Sequence, residues 1–140
     1  MSRSGYTEGC DSPEEQWALI RWRGAVSSAI RGKRGQSFLK RVLIALDSMQ
    51  KKELIDESLV EDGAYCTLGA LANHEAIKVN DLDPEYYEHV AKRFGIAEAM
   101  TREIVWANDE CGNYHETPVK RFNRMRQWVV SNINNNEVSK

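Results

Sequence analysis

The chain has 140 residues, of which 41% are hydrophobic and 29% charged, a composition typical of one soluble globular domain with a substantial core. No apolar run approaches the roughly 18 residues of a membrane span, and no apolar stretch follows the first residues, so neither a membrane partner nor a secretory signal is expected. Three widely spaced cysteines without a C-x-x-C pair indicate reduced thiols and a cytoplasmic location.

The charge is nearly balanced overall but strongly polarised along the chain. The 19 Lys and Arg residues stand against 21 Asp and Glu residues. Between residues 16 and 46, seven basic residues occur without an acidic one, which leaves 12 positive and 21 negative charges elsewhere, a balance of −9. The seven are Arg21, Arg23, Arg31, Lys33, Arg34, Lys40 and Arg41. Solvated surfaces usually mix the two signs, so this stretch predicts an anion-binding function.

The first two predicted elements are helices that flank the densest part of this basic stretch. Ser12 is a good N-cap and Pro13 suits the first helical position, so a helix is predicted from there to about Ile30. The glycines of residues 31–36 are expected to break it. Ser37 is then predicted to cap a second helix whose apolar residues recur at helical spacing to residue 49.

The later segments are also mostly helical in pattern. Residues 65–72 are small and apolar, which suits a short buried helix, whereas residues 51–62 fit either a helix or extended chain. Cap-and-proline signals and apolar periodicity predict further helices over 84–94, 96–106 and 118–133. The expected fold class is all-α or nearly so, as one compact domain (1–140) of about five to six helices with flexible ends at 1–11 and 134–140.

The segment RGKRGQ at residues 31–36 is the leading candidate site. We expect a loop between two helices that binds phosphate, because glycine lets the backbone approach, Arg offers a planar fork of donors, and the next helix presents its N–H groups. The predicted ligand-binding residues are Arg31, Lys33, Arg34 and Gln36, supported by Arg21, Arg23 and Lys40.

The last predicted helix is a second basic element. Its cations occur with no acidic residue between 118 and 133: Lys120, Arg121, Arg124 and Arg126. Their spacing allows the first three to share one outward face opposite the apolar stripe. This face is either an ordinary solvated surface or, if it lies beside residues 31–36, the second wall of one groove.

Residues 108–116 are expected to form a polar loop, and together with Trp106 before it they combine an aromatic, amides, carboxylates and an imidazole. Trp106 could stack on a base, and Asn108 and Asp109 could contact its polar edge, which makes these three further ligand-binding candidates. The alternatives are ordinary loop and capping chemistry, or acid–base work by an Asp109–His115 pair.

Other motifs are incomplete. Residues 90–104 partly match a helix-turn-helix, but Glu98 and Glu103 against a single Arg102 would repel phosphates, which favours a plain helical hairpin in the core. No zinc-ligand spacing, nucleophile motif or phosphate-loop motif occurs, so no metal, cofactor or catalytic residue is expected. The tryptophans near helix stripes are expected in the core: Trp17, Trp22 and Trp128.

Several strings resemble an uncharacterised group of small bacteriophage and prophage proteins. They are WALIRWRG (17–24), AIRGKRGQ (29–36), ALDSM (45–49), YCTLGA (65–70) and NDE (108–110), which together span most of the chain. The C-x-x-G-A-L segment followed by an N-D pair is also similar to another bacterial domain family of unknown function. The first resemblance implies a tailed-phage gene product that acts in the bacterial cytoplasm, and it implies no particular activity.

Together these features predict a non-enzymatic accessory or anti-defence protein that sequesters a phosphate-bearing ligand, such as a nucleotide or signalling nucleotide. A homo-oligomer is expected from the aromatic-rich helices of a small domain. Three alternatives stay open: a nucleic-acid-binding factor, an inhibitor that docks an acidic host protein, and an enzyme that acts on a phosphorylated substrate with Asp109, Glu110 or His115.

Overall fold

The computed structural model describes residues 3–4, 13–113 and 115–133. Within these ranges the chain forms six helices and one two-stranded antiparallel hairpin, which confirms the nearly all-α fold class. The elements are α1 (Pro13–Arg31), α2 (Lys33–Ser48), β1 (Val60–Glu61), β2 (Ala64–Tyr65), α3 (Thr67–Glu75), α4 (Tyr87–Phe94), α5 (Glu98–Glu110) and α6 (Pro118–Asn132). The expected cap at Ser12 and most of the expected flexible ends lie outside the described residues.

The junction of α1 and α2 is much tighter than the predicted loop. Gly32 alone separates the two helices, with extended backbone (φ −66°, ψ 162°), and it stands at the N-cap position without a side-chain cap. The prediction that Ser37 begins the second helix was therefore wrong. A Cβ atom at Gly35 would lie 1.9 Å from the carbonyl oxygen of Ala29, so the missing side chain lets the start of α2 pack directly on the end of α1.

The hydrophobic core is centred on α2, which contacts α1, α3 and α6. Four residues of its predicted apolar stripe are buried, Phe38, Leu39, Val42 and Leu46, and Leu43 and Met49 are partly buried against the core. The ring of Phe38 meets the ring of Phe94 of α4 edge to face, with centroids 6.2 Å apart. Each fully buried large side chain of this kind contributes about 1.5–3 kcal/mol, so the α2 stripe contributes substantially to stability.

Residues 51–62, which the sequence left between helix and extended chain, are irregular and end in β1. Leu54 and Leu59 are buried and anchor this segment to the core. Asp62 and Gly63 make the turn between β1 and β2, and both have positive φ (51° and 79°). An Asp-Gly pair with two positive φ values is the preferred two-residue hairpin turn, so the local signal for the hairpin was present in the sequence.

The helices α4 and α5 form the hairpin that the sequence favoured over DNA readout. Gly95 ends α4 in the left-handed conformation (φ 71°). The following helix is packed into the fold: Thr101 is fully buried and its hydroxyl donates to the carbonyl of Ala97. Because α5 continues to Glu110, residues 108–110 lie in its last turn, and the loop predicted to begin at residue 108 starts later.

The start of α6 agrees with its sequence signal. The Thr117 hydroxyl accepts a hydrogen bond from the Lys120 N–H at 3.2 Å, and Pro118 occupies the first turn. The helix then buries Phe122 and Met125 against the core. None of the helices in the described ranges combines the length and apolar character required to cross a membrane.

Candidate functional site

Six of the predicted ligand-binding side chains lie on the outer side of α1 and α2, and we call them the cationic face. They are Arg21, Arg23, Arg31, Lys33, Arg34 and Lys40, and all six are exposed. Arg21, Arg23 and Arg31 are on α1. At about 100° per residue these three side chains fall within an arc of about 160° around the helix, with Arg31 between the other two. Lys33 and Arg34 follow in the first turn of α2. Exposed cations therefore stand on both sides of the junction, Arg31 before Gly32 and Lys33 and Arg34 after it.

Most of the arginines outside the cationic face are ion-paired within the fold. Six of them form ion pairs with carboxylates: Arg3, Arg41, Arg93, Arg121, Arg124 and Arg126. By contrast, Arg21, Arg23, Arg31 and Arg34 form no ion pair in the described part of the chain. Since six of the seven other arginines are paired, this difference marks the cationic face as a basic surface available for an external anion.

Gln36, predicted with the same group, is a packing residue. Only 2% of its surface is exposed, and its side-chain amide donates to the carbonyl of Ile30 at 2.7 Å and to that of Asn132 at 3.0 Å. These carbonyls belong to the ends of α1 and α6, whose last C=O groups have no partner within the helix. Gln36 thus joins three helices at the junction and is not part of the exposed face.

Asn108 also has a structural position. It is 1% exposed, and its side-chain oxygen accepts from both the backbone N–H and the hydroxyl of Thr67, at 3.1 Å and 2.8 Å. Its amide nitrogen donates to the carbonyl of Ile55 at 2.9 Å and to the carboxylate of Asp109 at 2.8 Å. Both amide hydrogens are used, so the structure leaves Asn108 no donor for a ligand.

Asp109 and Trp106 complete the predicted set, and they too belong to the interior. The Asp109 carboxylate is 7% exposed and accepts two hydrogen bonds from the Arg3 guanidinium. Trp106 is half-buried and packs against the core. The acid–base role considered for Asp109 therefore loses its structural support, because the carboxylate is covered and held by a cation.

The basic residues of α6 do not form the outward face that their spacing predicted. Arg121 is buried and donates to the carbonyl of Leu54. Arg124 binds the carboxylate of Glu116 through two hydrogen bonds, which holds the pKa of Glu116 below its ordinary value. Arg126 pairs with Asp47 of α2. The predicted outward face was wrong because Arg121 is buried and because Arg124 and Arg126 turn to carboxylates of the preceding segment and of α2.

Trp17 is the residue that sequence reasoning misplaced in the core. Its surface is 63% exposed, and it lies one helical turn before Arg21 on the outer side of α1. At about 100° per residue it lies about 140° around α1 from the buried Ile30, which could have indicated this. By comparison, Trp22 is half-buried beneath the guanidinium of Arg102, which lies 4.4 Å from its ring centroid.

An open cleft of about 510 Å³ lies elsewhere, and none of the predicted site residues lines it. Its lining residues are Asp81, Leu82, His89, Lys92 and Arg93. Hydrogen bonds from Arg93 lower the pKa of Asp81 to about 2, so the two charges neutralise each other. Among the described residues, no group of three His, Cys, Asp or Glu side chains could hold a metal ion.

Comparisons with protein families, with curated proteins and with solved structures give no match for this chain.

Proposed function

We propose that the protein is a non-enzymatic binding protein that holds a phosphate-bearing ligand on the cationic face. The observation that supports this proposal is a difference in ion pairing between the arginines of the cationic face and those elsewhere. Four arginines of this face have no carboxylate partner within the described residues, whereas six arginines elsewhere have one. Phosphate oxygens suit the planar donor fork of arginine, and a charged ligand would replace the missing partners.

The layout of the face favours an extended ligand, and we propose a single strand of nucleic acid. Arg21 and Arg31 are ten residues apart, which corresponds to about 15 Å along α1. A single phosphate group is too small to contact both side chains at this separation. Trp17 presents its ring one turn from Arg21, on the same exposed side. An exposed aromatic beside a row of cations is the arrangement by which proteins bind single strands, through base stacking and phosphate contacts.

A nucleotide remains the second candidate because of one further observation. The first turn of α2 carries Lys33 and Arg34 and no acidic residue. A helix N-terminus is already the positive end of the helix dipole, so two cations there are unfavourable without an anion. The phosphate group of a nucleotide would balance this charge, which supports sequestration of a nucleotide or signalling nucleotide as an alternative role.

The setting that we propose is the one implied by the sequence resemblance, an accessory or anti-defence protein of phage origin in the bacterial cytoplasm. We also propose a homo-oligomer, which the exposed side chains of Ile20 and Ile44 support. Light scattering coupled to size-exclusion chromatography tests this part. A monomer mass across a hundredfold range of protein concentration would exclude it.

The binding proposal is tested by fluorescence anisotropy with a labelled single-stranded oligonucleotide. The variant R31S/K33S/R34S removes three charges from the cationic face, and the control K78S/K92S/K120S removes three exposed charges from other surfaces. With six phosphate contacts, the logarithm of the association constant plotted against the logarithm of the salt concentration has an expected slope of about −4. In the first variant, which keeps three contacts, the expected slope is about −2. The control keeps the native slope.

The same titration with mononucleotides and dinucleotides separates the two candidates. Saturable binding that changes little with salt, together with no affinity for the oligonucleotide, would favour the nucleotide. If the native protein binds neither ligand, or if both triple variants lose affinity equally, the cationic face is not a phosphate site. Mass spectrometry of small molecules released on denaturation gives an independent identification of a nucleotide.

A further inference from the structure

Arg3 and Ser4 lie between the beginning of α3 and one side of α5, among polar side chains. Arg3 is 3% exposed and Ser4 is fully buried, although neither belongs to a helix or strand. These polar side chains are far away in sequence: Cys66, Arg102, Asp109 and Glu110. We call these four residues the Arg3 pocket.

The guanidinium of Arg3 is recognised by its shape as well as its charge. Its Nε and Nη2 donate to the two oxygens of Asp109 at 2.6 Å and 2.8 Å, and its Nη1 lies 3.6 Å from the sulfur of Cys66. Burial alone would lower the pKa of Arg3, but Cys66 and Asp109 together raise it above its ordinary value. A lysine cannot form this two-point contact, so the site selects arginine.

Ser4 is recognised through both its side chain and its backbone. Its hydroxyl donates to Glu110 at 2.9 Å, and its carbonyl accepts from the Nε of Arg102 at 2.6 Å. The Arg102 guanidinium is itself placed between the rings of Trp22 and Tyr87, each with its centroid 4.4 Å away. These contacts specify the direction of the bound segment and a small hydroxyl residue after the arginine.

The pocket residues are held in position by the rest of the fold. Asp109 also accepts from the side-chain amide of Asn108 at 2.8 Å and from the Glu57 N–H at 3.2 Å. The Cys66 sulfur accepts from the Gly69 N–H at 3.4 Å, where it caps α3. Because these bonds do not involve Arg3, the site is preorganised before its occupant arrives, as in a peptide-binding site.

We propose that the Arg3 pocket is a recognition site for an arginine-bearing peptide segment, and that Arg3 and Ser4 are its intramolecular occupant. A segment of another polypeptide with Arg followed by a small hydroxyl residue binds the same site when the chain's own segment is removed. The attached segment competes at a high effective concentration, so binding in trans is observed in variants of Arg3. This site is independent of the cationic face.

The first test uses the variant R3A and the acetylated peptide Ser-Arg-Ser-Gly, which repeats residues 2–5. Loss of Arg3 leaves Asp109 buried without its cation, so the melting temperature falls by about 10 °C. Added peptide restores it in a saturable manner, and the Ser-Lys-Ser-Gly peptide restores much less. The control K92A removes an exposed cation from another surface and shows neither the loss nor the response.

The conservative variant R3K, in a background where Cys10 and Cys111 are replaced by serine, gives a second measurement if R3A does not fold. Cys66 is 1% exposed beneath Arg3 and should react several-fold faster with iodoacetamide in R3K. The arginine peptide slows the reaction to the native rate. Equal effects of the lysine and arginine peptides, or no effect of either up to millimolar concentration, would overturn the proposal.

Discussion

Arg124 and Glu116 form a two-point ion pair, with Nε–Oε2 at 2.7 Å and Nη2–Oε1 at 2.9 Å. The same guanidinium donates to the carbonyl of Asn108 at 3.1 Å, so it joins α6 to the last turn of α5 and to the segment between them. The strongest cluster of cations outside the first two helices is thus occupied within the fold. This pairing is why we propose the cationic face of α1 and α2 as the binding surface.

The Glu116–Arg124 pair predicts how stability depends on pH. The hydrogen bonds from Arg124 lower the pKa of Glu116 below its ordinary value of 4.5. Its contribution is therefore present above the pKa of the unfolded chain and is lost as the pH falls through the lower folded value. In urea unfolding between about pH 5 and pH 3, the native protein should lose more stability than E116Q. Parallel curves would contradict this role.

Replacing Gly35 at the helix junction and Gly24 within α1 by alanine should have opposite effects on stability. G35A should destabilise the protein by about 1–3 kcal/mol, because the new Cβ would lie 1.9 Å from the carbonyl oxygen of Ala29. G24A, within α1, meets no atom within 4 Å and should stabilise by about 0.5–1 kcal/mol through helix propensity. Chemical denaturation of both variants measures the difference. Equal effects would mean that α2 does not pack on α1 at this point.

Replacing Asn108 should lower the stability of the protein without weakening ligand binding. N108A removes its bonds to Thr67 and Ile55 in a buried position and should cost about 2–4 kcal/mol of stability. N123A, an exposed asparagine of α6, should change stability by less than about 0.5 kcal/mol. At a temperature where N108A is folded, its affinity for the oligonucleotide should equal the native value. A selective loss of affinity would restore Asn108 as a ligand contact.

Replacing Trp17 should weaken ligand binding without lowering the stability of the protein. W17A should leave the melting temperature nearly unchanged, because the side chain is exposed, and should weaken oligonucleotide binding by about 1–3 kcal/mol through lost stacking. I20A is the matched control, since Ile20 is similarly exposed on α1 but offers no aromatic ring. If both variants bind like the native protein, the base-stacking part of the proposal is wrong, and the phosphate contacts stand alone.

Local patterns were enough to predict much of the fold. The apolar spacing that buries Phe38 and Leu46 and the cap at Thr117 are properties of neighbouring residues, and both appear as expected. The junction at Gly32 was not predictable in the same way. Glycine suggests a break, but whether the helix resumes at once depends on the packing of Gly35 against Ala29, a contact between two helices.

The sequence by itself determined that the chain is helical and that its positive charge is concentrated between residues 16 and 46, since both follow from residue type and order. Only the tertiary structure decided which cations are available to a ligand. Arg126 meets Asp47 across 79 residues, and Arg3 meets Asp109 across 106. Such pairs require the chain to fold before the charges come within a few ångströms, and at larger separations water and salt screen them.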